Sequence, residues 1–216
     1  MFPDIGLWLK QLAVYAVPML MAVTFHEVAH GCVAYLLGDP TAKQAGRLTL
    51  NPLKHLDVMG TLAFVLTRMI GWAKPVPVDA RYFRNPRQGM MLVSIAGPVA
   101  NFTVAALSVL FLHLLVYALE SGWVSPAVHK SVLVPLAYMG EASVRINLAL
   151  GVFNLLPIPP LDGSHILMGL LPRHLAYGMA RLEKWGFLLI MLLAISGVLG
   201  RFLFPVVEYL YNIILL

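Results

Sequence analysis

The sequence predicts an all-α polytopic membrane protein, and three observations support this fold class. First, 60% of the 216 residues are hydrophobic and only 12% are charged, whereas an ordinary soluble domain carries about 25% charged residues. Second, four apolar stretches approach the roughly 20 residues that a spanning helix needs. Third, a further apolar stretch is too short for a full span. We therefore expect about four to six membrane helices, including one short or re-entrant segment, with a small membrane-embedded β element.

The composition also limits the domain organisation and the partners. A single cysteine, Cys32, excludes a disulfide scaffold and a cysteine-rich metal site. The net charge of +5 is modest, and the basic residues lie between apolar stretches as topology signals do, so nucleic-acid binding is not expected. The N-terminus lacks the features of a removable signal peptide. We expect one membrane-embedded domain over residues 1–216, in contact with the lipid bilayer and of undetermined oligomeric state.

Four stretches are predicted to span the membrane because they are apolar over roughly the length of a membrane helix. The first contains a proline and a polar cluster, and the third carries several polar residues. The fourth continues beyond its apolar part into an amphipathic tail. In chain order the four stretches are Leu7–Leu37, Met90–Leu119, Ser131–Leu156 and Trp185–Gly200.

The region between the first two spans is expected to contain three smaller elements. Val58–Trp72 is apolar but short, so we interpret it as a re-entrant segment. Gln44–Leu50 alternates weakly and is rich in β-formers, which predicts a short strand. Lys74–Val78 contains two prolines that force extended backbone on the residues before them. The strand and the extended stretch are candidates for pairing with an extended substrate peptide.

Two histidines four residues apart indicate a metal site in the first span. The sequence HEVAH at 26–30 places the imidazoles of His26 and His30 on one helix face, within reach of a single metal ion. Glu27 lies between them and can act as a general base. Ionisable groups inside a span are costly and are functional by default. A metal site therefore explains this cluster better than two buried core histidines.

A catalytic zinc site usually has three protein ligands, so a third must come from another part of the chain. Asp57 is close in sequence and has His55 beside it, while Asp162 follows the proline-rich stretch 157–160. Backbone that is broken at membrane depth is tolerated where it is buried in protein or lines a wet cavity, and an aspartate there can turn towards a metal. Both aspartates are candidates on these grounds.

Three motifs, in this order, resemble the site-2 protease family of intramembrane zinc metalloproteases. They are HEVAH at 26–30, AGPVAN at 96–101 and NLLPIPPLDG at 154–163. The stretches GRLTLNP at 46–52 and GWAKPVPV at 71–78 also resemble small prokaryotic members of that family. The chain departs from the family pattern in two respects. It leaves no room for the PDZ or CBS domain of many relatives, and His165 stands where relatives often have another residue.

The resemblance implies a zinc metalloendopeptidase that hydrolyses peptide bonds within or next to transmembrane segments of membrane-protein substrates. It implies that His26, His30 and Asp162 hold one zinc ion per chain, with Glu27 as the base. Two other classes stay open, a membrane metal carrier and a catalytically silent family member. A soluble-type metalloprotease with Asp57 as the third ligand is the remaining alternative within the enzymes.

Three further residues receive roles in this hypothesis. Asn154 lies just before the broken helix end and is expected to donate a hydrogen bond to the oxyanion. Gly97 and Asn101 are expected to contact the substrate, Gly97 by close backbone approach and Asn101 through its amide. Each also has a structural interpretation, as an interhelical hydrogen bond or a close helix contact.

The metal site also constrains the topology. The histidines and Asp162 can meet only if the C-terminal ends of the first and third spans face the same side, which requires Val58–Trp72 to dip and return. Ten basic residues then collect on one side, as expected of the cytoplasmic face, so the active site is expected nearer the cytoplasm of a prokaryotic cell membrane. They are Lys43, Arg47, Lys54, Lys74, Arg81, Arg84, Arg87, Arg173, Arg181 and Lys184, against Lys10, Lys130 and Arg201 on the other side.

Overall fold

The computed structural model describes residues 5–67, 72–120 and 125–215, and the regular secondary structure in these ranges is helical. The predicted all-α class is therefore confirmed for this part of the chain. The long helices are α1 (Ile5–Leu36), α4 (Pro86–Glu120), α6 (Val134–Asn154), α8 (Arg173–Ile195) and α9 (Val198–Leu215), and the short ones are α2 (Thr41–Gln44), α3 (Val58–Thr67), α5 (Pro126–Val128) and α7 (Asp162–Leu170).

Three helices of the described ranges are long and apolar enough to cross a membrane. They are the Val14–Leu36 part of α1, the whole of α4 and the whole of α9. α6 matches the predicted third span in position, but its interior carries Glu141 and Arg145. Arg145 pairs with Glu141 and with Glu208 of α9, and its guanidinium lies 3.8 Å from the centre of the Tyr211 ring. These contacts pair the charged side chains of α6 with other side chains of the same protein.

The predicted fourth span, Trp185–Gly200, is wrong as a single helix. α8 begins at Arg173 and ends at Ile195, and a separate helix, α9, follows. Gly197 lies between them with φ of +74°, a left-handed conformation that ends a helix and that glycine adopts without a steric cost. The first half of α8 was not predicted as part of a span because its arginines and lysine interrupt the apolar pattern.

The predicted strand at Gln44–Leu50 is also wrong. Gln44 is the last residue of α2, and Gly46 follows in a left-handed turn with φ of +63°. The β pairing in the described ranges is one isolated antiparallel bridge between Leu56 and Ala73. The β-forming side chains at 48–50 suggested a strand. In the described residues, however, this stretch follows the turn at Gly46 and has no neighbouring strand with which to pair.

The chain between Leu56 and Ala73 leaves and returns at the same point. α3 has 10 residues, about 15 Å of helix, which is half the thickness of a hydrocarbon core. Besides the bridge between Leu56 and Ala73, the Lys74 N–H donates to the His55 carbonyl at 2.9 Å. A Cβ on Gly60 would lie 2.1 Å from the carbonyl oxygen of Trp72. The two ends of the predicted re-entrant segment therefore meet, while residues 68–71 within it lie outside the described residues.

The centre of the fold is formed by α1, α4 and α6, which contact one another pairwise. α7 packs on α4, and α9 packs on α6. One buried cluster joins α4, α6 and α9, and a second joins α1 and α4 to the chain just before α4. Their buried members are Ala105, Val109, Val144, Leu148 and Val207 in the first cluster, and Ala34, Phe83 and Val93 in the second.

Candidate metal centre

Three side chains from two distant parts of the sequence converge between α1 and α7. The Nε2 atoms of His26 and His30 lie 2.9 Å apart. Asp162 Oδ2 lies 3.2 Å from the first and 3.3 Å from the second. The three side chains are only 10–14% exposed. The structure thus brings together the three residues for which the resemblance implied a shared metal ion.

Each imidazole has its Nδ1 atom fixed by a partner on α4. His30 Nδ1 lies 2.7 Å from the Val93 carbonyl oxygen, which can only accept, so Nδ1 carries the proton. His26 Nδ1 lies 2.7 Å from Asn101 Oδ1. The Asn101 amide is oriented by its Nδ2, which donates to the Ala22 carbonyl at 3.1 Å. When both imidazoles are neutral, each therefore directs an Nε2 lone pair into the cluster.

Three lone pairs consequently meet at the centre without a donor between them. Asp162 Oδ2 is buried and has no hydrogen-bond partner among the described residues. One added proton would relieve one of these contacts, whereas a cation among the three atoms relieves all of them. Tetrahedral zinc with Zn–N bonds of about 2.0–2.1 Å holds its ligand atoms about 3.3 Å apart. The donor set and its spacing therefore fit a zinc ion.

Gly97 forms the floor of this cluster. A Cβ at this position would lie 2.5 Å from Cε1 of both His26 and His30, which is closer than real side chains approach. The absence of a side chain lets both rings rest on the backbone of α4. This contact explains the glycine, and the substrate contact predicted for Gly97 stays a prediction.

Asp162 reaches the cluster because it is the first residue of α7. Gly163 lets α7 begin directly against the end of α6, since a Cβ there would lie 2.2 Å from the Leu155 carbonyl oxygen. At the far end of α7, Arg87 Nε donates to the Met168 carbonyl at 2.7 Å and ties α7 to α4. The proline-rich connection and these two contacts set the direction of the Asp162 carboxylate.

Glu27 lies beside the cluster and is bound by backbone from another segment. Its Oε2 accepts the Val76 N–H at 2.8 Å. The side chain is half-buried. Among the described residues, its hydrogen bond is made through Oε2. The carboxylate is thus oriented by the backbone at position 76.

The alternative third ligands lie outside the cluster. Asp57 Oδ1 accepts the Gly60 N–H at 2.8 Å, so this carboxylate caps the start of α3. Within the described residues, the cluster of possible metal ligands consists of His26, His30 and Asp162 and includes neither Asp57 nor His165. These positions agree with the assignment of the third ligand to Asp162.

Asn154 and Asn101 have contacts that differ from their predicted roles. Asn154 Nδ2 donates to the Leu150 carbonyl of its own helix at 3.0 Å. Asn101 is completely buried behind His26, where its amide contacts protein groups. The oxyanion and substrate roles stay predictions, and the observed task of Asn101 is to fix the orientation of an imidazole.

Sequence reasoning missed the polar network that continues from Asn101. Asn101 Nδ2 also donates to Asn147 Oδ1 at 2.9 Å, and Asn147 Nδ2 donates to the Ser143 carbonyl at 2.9 Å. Ser143 Oγ shares a hydrogen bond with Ser108 Oγ at 2.8 Å. The signal was available, because a polar side chain inside an apolar helix has to find a partner there.

Known proteins place the chain in a family. The sequence model described as Peptidase family M50 matches residues 121–196, a range that includes Asp162. Two relatives are each named "Putative zinc metalloprotease". YwhC of Bacillus subtilis is 39% identical over 193 residues, which cover 89% of this chain and 84% of the relative. Rip2 of Mycolicibacterium smegmatis is 32% identical over 196 residues, which cover 89% and 71%. No solved structure matches the chain.

These similarities, together with the site, show that the chain belongs to peptidase family M50. The resemblance to the site-2 proteases is thereby confirmed. The family is one of membrane-embedded metalloproteases, which agrees with the three apolar helices of the structure.

Replacing Gly97 with alanine should weaken metal binding. The new methyl group would push both imidazoles away from α4, so we expect zinc affinity to fall by about tenfold or more. The matched control is Gly178→Ala, because a Cβ at that helical position meets no atom within 4 Å. Competition with a zinc chelator on the purified proteins measures both. Equal zinc affinity in the two variants would show that Gly97 is not a steric requirement.

Replacing Asn101 with leucine should also weaken metal binding, for a different reason. The change removes the acceptor that holds the proton on His26 Nδ1, and loss of such a partner typically costs about 10–100-fold in metal affinity. Thr103→Val is the control, since the side-chain hydrogen bond of Thr103 among the described residues goes to the Val99 carbonyl of its own helix. The same chelator titration compares them, and an Asn101→Leu variant that binds zinc like the control contradicts this role.

Proposed function

We propose that this protein is a zinc metalloendopeptidase that cleaves peptide bonds within or next to transmembrane segments of membrane proteins. The observation that carries the proposal is the convergence of three unpaired acceptor atoms, from His26, His30 and Asp162, beside the carboxylate of Glu27. The relatives are named as zinc metalloproteases, which supports zinc as the ion. A metal carrier has no need of a carboxylate next to its ligands, so Glu27 favours hydrolysis.

Each residue has a task in this reaction. His26, His30 and Asp162 would hold the ion, and three protein ligands are the usual number in a catalytic zinc site. Zinc, when bound, polarises the scissile carbonyl and lowers the pKa of water. Glu27 takes a proton from the attacking water and returns it to the leaving amine. Asn154 is proposed to stabilise the oxyanion after a change of its side-chain rotamer.

The substrate is proposed to be a transmembrane segment. An apolar groove of about 620 Å³ opens between α1, α4 and α6. Its lining includes Phe25 and Ala100, which are the chain neighbours of His26 and Asn101. An apolar groove between the helices that carry His26 and Asn101 favours a hydrophobic substrate segment over a soluble peptide.

The proposed topology places the active site nearer the cytoplasm of a multi-pass protein. α1 contributes its C-terminal half to the cluster and α7 contributes its first residue, so the connection after α6 lies on the same side as the end of α1. The meeting of Leu56 and Ala73 supports a segment that dips and returns. The excess of basic residues on that side supports the cytoplasmic assignment.

The variant Glu27→Gln should keep its zinc and lose proteolysis. The amide retains the size of the carboxylate and can still accept the Val76 N–H, but it cannot take a proton. We expect zinc content near one ion per chain and a cleavage rate at least about 100-fold lower, in line with the usual contribution of a general base. Cleavage of a transmembrane substrate in proteoliposomes and zinc analysis measure the two quantities. A metal-free variant, or one with the parent rate, contradicts the role of Glu27.

The variant Asp162→Asn should lose most of its zinc, because a neutral amide oxygen is a poor ligand and the site loses a negative charge. Asp57→Asn and His165→Ala are the controls, since their side chains lie outside the cluster. Both should keep zinc near one ion per chain in the same assay. A fully loaded Asp162→Asn, or an empty Asp57→Asn, would show that the third ligand is assigned wrongly.

A further inference from the structure

Glu27 is held by a segment that contributes no metal ligand. The Val76 N–H donates to Glu27 Oε2 across 2.8 Å, although the two residues lie 49 positions apart in the chain. Val76 belongs to the extended stretch 73–78 and is 9% exposed. A backbone N–H is a partner that no side-chain motion can withdraw, so it fixes a carboxylate well when its own segment is fixed.

We propose that residues 73–78 are a positioning segment for catalysis, which holds the Glu27 carboxylate in its working orientation through the Val76 N–H. This inference rests on the proposed function, because it gives the segment a task in the reaction that Glu27 performs. Among the described residues, the hydrogen bonds of the segment reach Glu27 and none of the three metal ligands, so the segment acts through Glu27.

The segment is anchored on both sides of Val76. Before it, the Lys74 N–H donates to the His55 carbonyl at 2.9 Å, and Arg47 Nη2 donates to the Lys74 carbonyl at 2.6 Å. Arg47 is 6% exposed, so a buried cation is used to hold a backbone carbonyl, which makes a strong, charge-assisted bond. After it, the Asp79 N–H donates to Oδ2 of the buried Asp39 at 2.7 Å.

Close packing on α1 brings the segment within reach of Glu27. Gly31 lies one helical turn after Glu27, on the same face. A Cβ on Gly31 would lie 3.2 Å from Val76 Cγ1 and 2.6 Å from Leu48 Cδ2. A larger residue at this position would lift the segment from the helix, and the Val76 N–H would then move away from the carboxylate.

The direction of the hydrogen bonds separates this role from substrate pairing. In extended chain, successive residues direct their N–H and C=O groups to opposite edges. The N–H and C=O of Lys74 and the N–H of Val76 point into the protein, where their partners are His55, Arg47 and Glu27. Pro75 and Pro77 face the other edge, where they offer carbonyls but no N–H. An edge without donors is a poor template for strand pairing, so the inner edge carries the function of this stretch.

Exchange of Val76 for proline tests the proposal through kinetics, because it removes the N–H. Proline is compatible with the extended backbone between Pro75 and Pro77. Val76→Ala is the matched control, since it also loses the methyl groups but keeps the N–H. We expect both variants to bind one zinc ion per chain. The proline variant should show kcat lowered about tenfold or more at unchanged KM, a fraction of the effect of the base itself, while the alanine variant stays near the parent.

Glu27→Gln, assayed in parallel, separates two kinds of failure. If it cleaves at the parent rate, the proposed function is wrong. If it is inactive while the two Val76 variants have equal kcat, the positioning role is overturned and the proposed function stands.

Hydrogen exchange tests the same contact without activity and without a change in the segment. Residues 75–77 contain a single exchangeable amide, that of Val76, because both neighbours are prolines. In Glu27→Ala this amide should exchange about tenfold faster or more, the factor expected for loss of a hydrogen bond to a charged group. The Lys74 amide, bonded to His55, should keep its parent rate. Unchanged exchange at Val76 would contradict the proposal.

Discussion

The contact among two imidazole lone pairs and one carboxylate oxygen is the constraint on which the rest of the structure depends. Three like-natured acceptors within 2.9–3.3 Å of one another repel unless a cation lies among them. The helices around them supply what this arrangement needs. α4 offers bare backbone at Gly97 and an acceptor at Val93, and α7 begins at the one residue that completes the set. The fold is a scaffold that holds these three acceptor atoms close together, as a metal site requires.

Four polar side chains between the central helices form one connected system that supports this cluster. From His26, hydrogen bonds pass through Asn101 and Asn147 to Ser143 on α6. In a bilayer, each of these groups would be costly without a partner. The chain uses that requirement to tie His26 to the contact between α4 and α6. The site is therefore oriented by helices, which hold side chains more firmly than loops do.

The sequence sufficed to predict the all-α class, the first two long helices and the residues that converge at the metal centre. Spacing alone placed His26 and His30 on one face, and the resemblance supplied Asp162. Local sequence patterns gave the wrong secondary structure where contacts between distant residues determine it. Charged residues concealed the first half of α8, and β-forming residues near Leu48 have no neighbouring strand. The link from Val76 to Glu27 joins positions 49 apart in the chain through a backbone group, so no side-chain pattern reveals it.

The meeting of Leu56 and Ala73 has a consequence for how such enzymes diversify. The residues between them form a closed excursion whose two ends are fixed to each other and to the His55–Lys74 hydrogen bond. The entropic cost of closing such a loop rises only slowly with its length. Insertions or replacements inside the excursion can therefore change what the protein meets in the membrane while the segment beside Glu27 keeps its place. The excursion and the segment beside Glu27 can in this way evolve at separate rates.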